Sequence, residues 1–233
     1  MTTITPLTES AWLAQFPSEE LAQAWASAAR TILENQFPKL DIVLAYRSVA
    51  VYFDDPTCDR TAIEEQLDAL TSSAQDQKPG PLISIPVLYD GEDLPAVARH
   101  LACSVEDVIA RHSTPIYCVY AIGFLPGFPY CGYLSEELAG LPRRAQPRTR
   151  VPAGSVAIAG RQTGIYPQES PGGWHLLGRT PVKIVDLAQA FFPLRAGDQI
   201  QFQPIDANRY AELQGTRLQA DRCPSPCDPK PGD

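Results

Sequence analysis

The sequence holds three histidines and one methionine in 233 residues, and fewer basic than acidic side chains, 19 Lys and Arg against 27 Asp and Glu. The net charge of -8 withholds the basic footprint that displaces counterions from nucleic acid or meets an anionic lipid surface. Small molecules or proteins are therefore the expected partners, with no nucleic acid and no membrane among them. No G-x-x-x-x-G-K-[ST] run is present, so any nucleotide must be held by something other than a P-loop. No G-x-S-x-G elbow is present either, and Ser170, placed before a proline, has no identifiable base. Apolar runs are cut by charge or proline well short of the roughly 18 residues a spanning helix needs, and the N-terminus lacks a basic stretch leading into an apolar one. A soluble, cytoplasmic chain is expected. The cysteines, at positions 58, 103, 118, 131, 223 and 227, are too scattered for a disulfide framework and are expected as thiols. His100 and His112 lie far apart, and Cys223 with Cys227 has no neighbouring pair, so no metal site is expected.

What is present is a 44% hydrophobic content that can fill a core, punctuated by 15 glycines and 23 prolines. Residues 4–16 suggest a strand or short hairpin. Ser18 is placed to cap a helix running to about Leu33, with Glu19 and Glu20 in its first turn and Leu21, Trp25, Ala28 and Ile32 on its buried face. DIVLAYRSVAVYFD reads as two strands broken near Arg47 and Ser48. Asp59 is placed to cap a second helix with Ile63, Leu67 and Leu70 on one stripe. This β-α-β-β-α order is close to a ferredoxin-like half-sandwich, an α+β module with helices on one face of an antiparallel sheet. The polar, Pro- and Gly-bearing segment 72–81 ends it, giving an N-terminal domain over 1–80.

Ile83–Tyr89 reads as a strand, followed by a short helix through Leu94, Val97 and Leu101. Ser104 and Asp107 have capping-box spacing ahead of a second short helix to His112. From Ile116 onward, short strands separated by turns (IYCVYAIG, SVAIAG, VKIVDL, QIQFQP) predict a mostly-β barrel or sandwich over 81–210. Residues 211–233, ending in CPSPCDPKPGD, show no apolar periodicity and read as a mobile tail.

The stretch 120–180 is the most distinctive. Its blocks GFLPGFPY (123–130), PRTRVPAGSVAIAG (147–160) and QTGIYPQESPGGWHLLGRTP (162–181), with the lead-in RHSTPIYCVYAIGF, resemble the family that contains the B subunit of bacterial 5-oxoprolinase, allophanate hydrolase subunit 1-like proteins and the sporulation kinase inhibitor KipI. The resemblance runs from about residue 8 to about residue 205. Cys131 departs from it, standing where an aliphatic residue is usual. The resemblance implies a cyclophilin-like β-barrel after the N-terminal α/β domain. It also implies an A subunit and a C-type subunit (allophanate hydrolase subunit 2-like) as partners, and the ATP-dependent opening of 5-oxo-L-proline to L-glutamate. ATP, with Mg2+, would be held by the complex, and the chain would be inactive alone. The alternative within the family is a KipI-like inhibitor of a sensor histidine kinase.

Five arginines, Arg143, Arg144, Arg148, Arg150 and Arg161, fall in an interval with no acidic residue. Guanidinium forks bind carboxylate or phosphate in a bidentate way, and 5-oxoproline and ATP carry such groups. The other reading is that these arginines pair with acids elsewhere in the chain or on a partner. Arg150 and Arg161, next to the motif strand, are the stronger binding candidates, together with Gln162, Thr163 and Tyr166 as polar handles for a lactam N–H and C=O. His175 is the candidate proton-moving group, with a hydrogen-bonded structural histidine as its alternative. His112 is expected to be structural, an imidazolium meeting a helix C-terminus. Phe124, Phe128, Tyr130 and Trp174 are candidates for a guest-binding or partner-docking face, or for core.

Overall fold

The computed structural model describes residues 2–33, 37, 40–53, 60–73 and 80–220. Antiparallel strands dominate, with helices set between them. The chain divides into two compact units, one of residues 1–79 with 120–122, the other of residues 80–119 with 123–233.

The first unit opens on a true hairpin, β1 (Thr3–Thr8) and β2 (Ala11–Gln15), and continues through helix α1 (Glu19–Leu33), strands β3 (Leu40–Ala45) and β4 (Ser48–Phe53), and helix α2 (Arg60–Ser73). The sheet order is β1-β2-β4-β3, antiparallel throughout. Strict alternation in β3 and β4 buries Leu40, Ile42, Leu44, Val49, Val51 and Phe53 on one face. Ser18 Oγ accepts the Leu21 N–H at 3.4 Å, as an N-cap does. The buried face of α1 is rotated from the expected one. Ala22, Trp25, Ala26, Ala28, Ala29 and Leu33 face inward, while Leu21 and Ile32 are exposed. Small alanines let the helix axis approach the sheet closely, so they displace the larger Leu21 and Ile32 from the contact. In α2 the stripe Ile63, Leu67 and Leu70 is buried as its spacing predicts. Asp59 and most of the segment 72–81 lie outside the described residues.

The second unit contains β5 (Leu82–Val87), α3 (Leu94–His100), α4 (Val105–Ser113) and the first half of β6 (Tyr117–Ile122). It continues through β7 (Pro129–Gly132), β8 (Arg148–Val151), β9 (Ser155–Ala159), β10 (Gln162–Ile165), β11 (Ser170–Gly172), β12 (His175–Arg179), β13 (Gln199–Pro204) and α5 (Ala207–Leu213). The capping box at α4 is complete: Ser104 Oγ accepts from the Asp107 N–H at 3.0 Å, and Asp107 accepts from the Ser104 N–H at 3.0 Å. Strands run β7-β10-β9-β12 in antiparallel order, β8 pairs with β11, and β13 lies parallel to β5 over six residues.

Two expectations fail here. VKIVDL forms no strand: its β-type pairing is limited to isolated bridges, Lys183 with Arg217 and Asp186 with Phe191. Val182 and Ile184 are nevertheless buried, so the alternation reflects a one-sided core contact without a partner strand. Residues 211–218, assigned to the tail, are tied back instead. α5 runs to Leu213, Gly215 N–H donates to the Pro181 carbonyl at 3.0 Å, and Leu218 N–H donates to the Lys183 carbonyl at 3.0 Å. The rest of the expected tail, 221–233, lies outside the described residues.

Candidate functional site

The register across β7, β10, β9 and β12 sorts the central motif into two faces. Tyr130, Gly164, Ala157 and Leu176 lie opposite one another along one line of the sheet, and Cys131, Thr163, Ile158 and His175 along the next. Successive residues of a strand point to opposite faces, so Gly164 and its neighbour Thr163 serve different environments.

The first line feeds an aromatic cluster. Phe128 lies edge-on to Tyr166 (5.2 Å between centroids), Trp174 (5.5 Å) and Phe124 (5.6 Å), and Tyr130 reaches Phe128 at 4.9 Å and Trp174 at 5.9 Å. These edge-to-face separations are in the range where ring quadrupoles attract. Two glycines make the packing possible. A Cβ on Gly164 would sit 2.9 Å from Phe128 Cζ, and one on Gly172 would sit 2.4 Å from the Tyr166 hydroxyl. Phe128, Tyr166 and Trp174 are buried, Tyr130 is half-buried and Phe124 is 62% exposed. The sequence-predicted aromatic group is thus brought together as one body, most of it core, with Phe124 and Tyr130 at its surface.

The second line feeds a sealed polar chain. Thr163 Oγ1 donates to the Ala157 carbonyl at 3.1 Å, which leaves it to accept the His112 Nε2–H at 2.8 Å; His112 Nδ1 then accepts from the Tyr89 hydroxyl at 2.7 Å. This assignment makes the imidazole neutral and fills both of its nitrogens. Burial pushes the His112 pKa down to about 3, and the ring stacks on Phe202 at 4.5 Å. The expected imidazolium at a helix C-terminus is therefore overturned: the ring is fully buried, and desolvation outweighs the helix dipole. Thr163, with no exposed surface and both hydroxyl functions engaged, sits inside the wall.

The arginines of the 142–161 interval are divided among different partners. Asp93, 4% exposed, takes Arg144 Nη1 at 2.6 Å, Arg148 Nη2 at 2.8 and 2.9 Å, and the Leu176 backbone N–H at 2.8 Å. Burial pushes the Asp93 carboxyl up, but hydrogen bonds from Arg148 and Leu176 and the charges of Arg148 and Arg144 outweigh it, holding the group below its ordinary value. Arg148 also donates to Glu92. Arg150 forms a bidentate pair with Glu169 at 2.9 and 2.8 Å on the surface. Arg161 lies over the Tyr133 ring at 4.8 Å. Gln162 is half-buried at the start of β10, opposite Gly132 and Ala159.

His175, half-buried at the start of β12, donates Nε2–H to the Pro142 carbonyl at 2.8 Å, which leaves Nδ1 with the lone pair. Arg144 N–H donates to the Gly173 carbonyl at 2.8 Å, so the Pro142–Arg144 loop is held from both sides against the β11–β12 turn. Neither the Asp93 hub nor this loop anchoring is legible in the sequence. Asp93 precedes Leu94 and Pro95 and so has the look of a helix cap, yet its carboxylate makes no capping bond and serves the arginines. Among the described residues, no group of three or more His, Cys, Asp or Glu is arranged to hold a metal, and no helix is long and apolar enough to cross a membrane.

Over residues 2–193 the sequence matches the family described as carboxyltransferase domain, subdomain C and D. It is 42% identical over 208 residues to the B subunit of 5-oxoprolinase from Haemophilus influenzae, covering 85% of this chain and 96% of that one. The protein of the same name from Bacillus subtilis is 36% identical over 230 residues, covering 89% and 94%. Among solved structures, TTHA0988 aligns with a TM-score of 0.74 at 40% identity, over 84% of this chain; the present chain spans only 40% of that longer one. With the motif blocks, the register that arranges them and these matches in agreement, the chain belongs to the carboxyltransferase-domain C and D family, the family of the 5-oxoprolinase B subunits.

Proposed function

We propose that this chain is the B component of an ATP-dependent 5-oxoprolinase that opens 5-oxo-L-proline to L-glutamate with A-type and C-type subunits, and that it turns over nothing alone. The observation that carries this reading is the likeness to the B subunits of two 5-oxoprolinases along 96% and 94% of their lengths. The kinase-inhibitor alternative draws no support from those relatives. The finer fold reading belongs to the same proposal: a ferredoxin-like half-sandwich in the first unit, supported by the sheet β1-β2-β4-β3 with its two helices, and a cyclophilin-like barrel in the second, supported by the antiparallel run β7-β10-β9-β12.

Opening the lactam adds water across its C–N bond, with oxygen going to the carbonyl carbon and a proton to the ring nitrogen. His175 is suited to move that proton. Its Nε2–H is fixed on the Pro142 carbonyl, so Nδ1 is the nitrogen left to exchange a proton with a guest. These four arginines do not by themselves fit a nucleotide. Arg144 and Arg148 are committed to Asp93, Arg150 to Glu169 and Arg161 to a ring, whereas a triphosphate needs several donors converging on it. ATP, with Mg2+, is accordingly assigned to the complex. Co-expression with the C-type and A-type subunits, followed by assay of 5-oxoproline-dependent ATP hydrolysis, tests the reading. His175→Ala should remove about two to four orders of magnitude of turnover and leave the complex intact; a variant complex with parental turnover would take His175 out of the chemistry.

A further inference from the structure

The five arginines differ in what each already holds, and Arg143 is set apart. It makes no hydrogen bond or ion pair with a described residue, while Arg144, Arg148, Arg150 and Arg161 are all engaged. Its stem is nonetheless fixed. The preceding carbonyl, of Pro142, takes the His175 Nε2–H; the following amide, of Arg144, donates to Gly173; and the Arg143 Cβ rests against Gly173 at the distance of ordinary contact, 3.8 Å from where a Cβ there would lie. With its backbone pinned on both sides, only the side chain of this exposed cation remains to be ordered when its fork is filled, and no anion among the described residues fills it.

Its surroundings suit a small ring bearing a carboxylate. Gly173, beside the Arg143 Cβ, stands between Gly172, where a Cβ would meet the Tyr166 hydroxyl, and Trp174, whose ring lies 5.9 Å from that of Tyr130; burial pushes the Tyr130 and Tyr166 hydroxyls up. Tyr130 is half-buried against Phe128 and Trp174, and Phe124, at φ 67° in the preceding turn, stands exposed at the edge of the same cluster. A cation on an anchored loop, a phenol donor and an aromatic edge thus belong to one unit.

We propose that Arg143, acting with the Tyr130 hydroxyl, is the carboxylate-recognising group of the site, and that the rings of Tyr130 and Phe124 take the flat ring of the guest. This rests on the lactam reading above and gives His175 a second role. Because its Nε2–H holds the carbonyl one residue before Arg143, the group that moves the proton and the group that holds the carboxylate are tied through a single peptide.

Titration calorimetry on the reconstituted complex, with L-5-oxoproline, the neutral lactam 2-pyrrolidinone and the flat carboxylate 2-furoate as probes, tests the proposal. Arg143→Gln should weaken both carboxylates by about tenfold or more and change 2-pyrrolidinone by less than about twofold; Arg143→Lys, keeping charge without the fork, should fall between. Tyr130→Phe should show the same selectivity to a smaller degree. Equal losses for all three probes, or no loss for either carboxylate, overturns the proposal. So does an Arg143→Gln chain that no longer assembles, since that would make the arginine a partner contact. Arg143-dependent binding of 2-furoate without binding of 5-oxoproline would retain the carboxylate site and refute the lactam reading; Arg143-independent binding of 5-oxoproline would do the reverse.

Discussion

His112 and His175 sit in the same unit, and the regions around them are opposites. Around His112 every polar function has a partner inside the protein, from the Tyr89 hydroxyl through the imidazole to Thr163 and the Ala157 carbonyl. Around His175 and Arg143 the backbone is anchored while Nδ1 and a guanidinium remain available to a guest. One residue of strand register separates the sealed chain, which Thr163 enters, from the aromatic cluster packed over Gly164. Chemistry belongs where polar capacity is left unspent, and stability belongs where it is exhausted.

The largest expected effect lies on the sealed side and is driven by acid. The folded pKa of His112 lies near 3 against an unfolded value of about 6.5, so the unfolded chain binds the extra proton throughout that window. Stability conferred by the neutral ring is complete above pH 6.5 and falls away as the pH drops, by roughly 4–5 kcal/mol once pH 3 is reached. Urea unfolding followed from pH 7 to pH 3.5 checks this; a curve flat across pH 6.5 to 4.5 would break the contrast. Asp93, held below its ordinary value, adds its own loss only at the acid end, below about pH 3.9.

Next in size is Asp93→Asn, which leaves two arginines facing a neutral amide in a site where the carboxylate is 4% exposed. A loss of about 3 kcal/mol is expected by chemical denaturation, because one partner of a buried charge cluster is removed and the others are stranded. Thr163→Val should cost about 1–3 kcal/mol by removing the acceptor for a buried imidazole N–H while keeping the shape of the side chain. A neutral outcome there would mean that His112 finds another partner, and the sealed network would be looser than its geometry implies. Smallest of all is Arg150→Ala. Its pair with Glu169 lies in solvent, so the melting temperature should be indistinguishable from that of the parent despite the bidentate geometry.

Local structure is largely legible in the sequence. The alternation of β3 and β4, the stripe of α2 and the Ser104 capping box each depend on near neighbours in the chain, and the structure has them where the spacing puts them. Reading fails where a distant partner decides. The alanine face of α1 is chosen by the sheet beneath it, VKIVDL finds no strand to pair with, and α5 is tied down by Pro181 and Lys183. For the site, the aromatic residues are recognisable as a group, but which arginine stays unengaged is not. That depends on Asp93 arriving from a loop some fifty residues earlier and taking Arg144 and Arg148, which leaves Arg143 between them and His175 without an anion. That the arginines could pair within the chain is visible in the sequence, while the division among them is a matter of three-dimensional register.

The account is tested most directly by following phosphate release and L-glutamate formation together in the purified complex of this chain with its C-type and A-type subunits. It predicts that both appear only when 5-oxoproline is added, that they rise in step, and that neither appears when this chain is left out. A stable complex that hydrolyses ATP at the same rate with or without 5-oxoproline, and forms no glutamate, would contradict it.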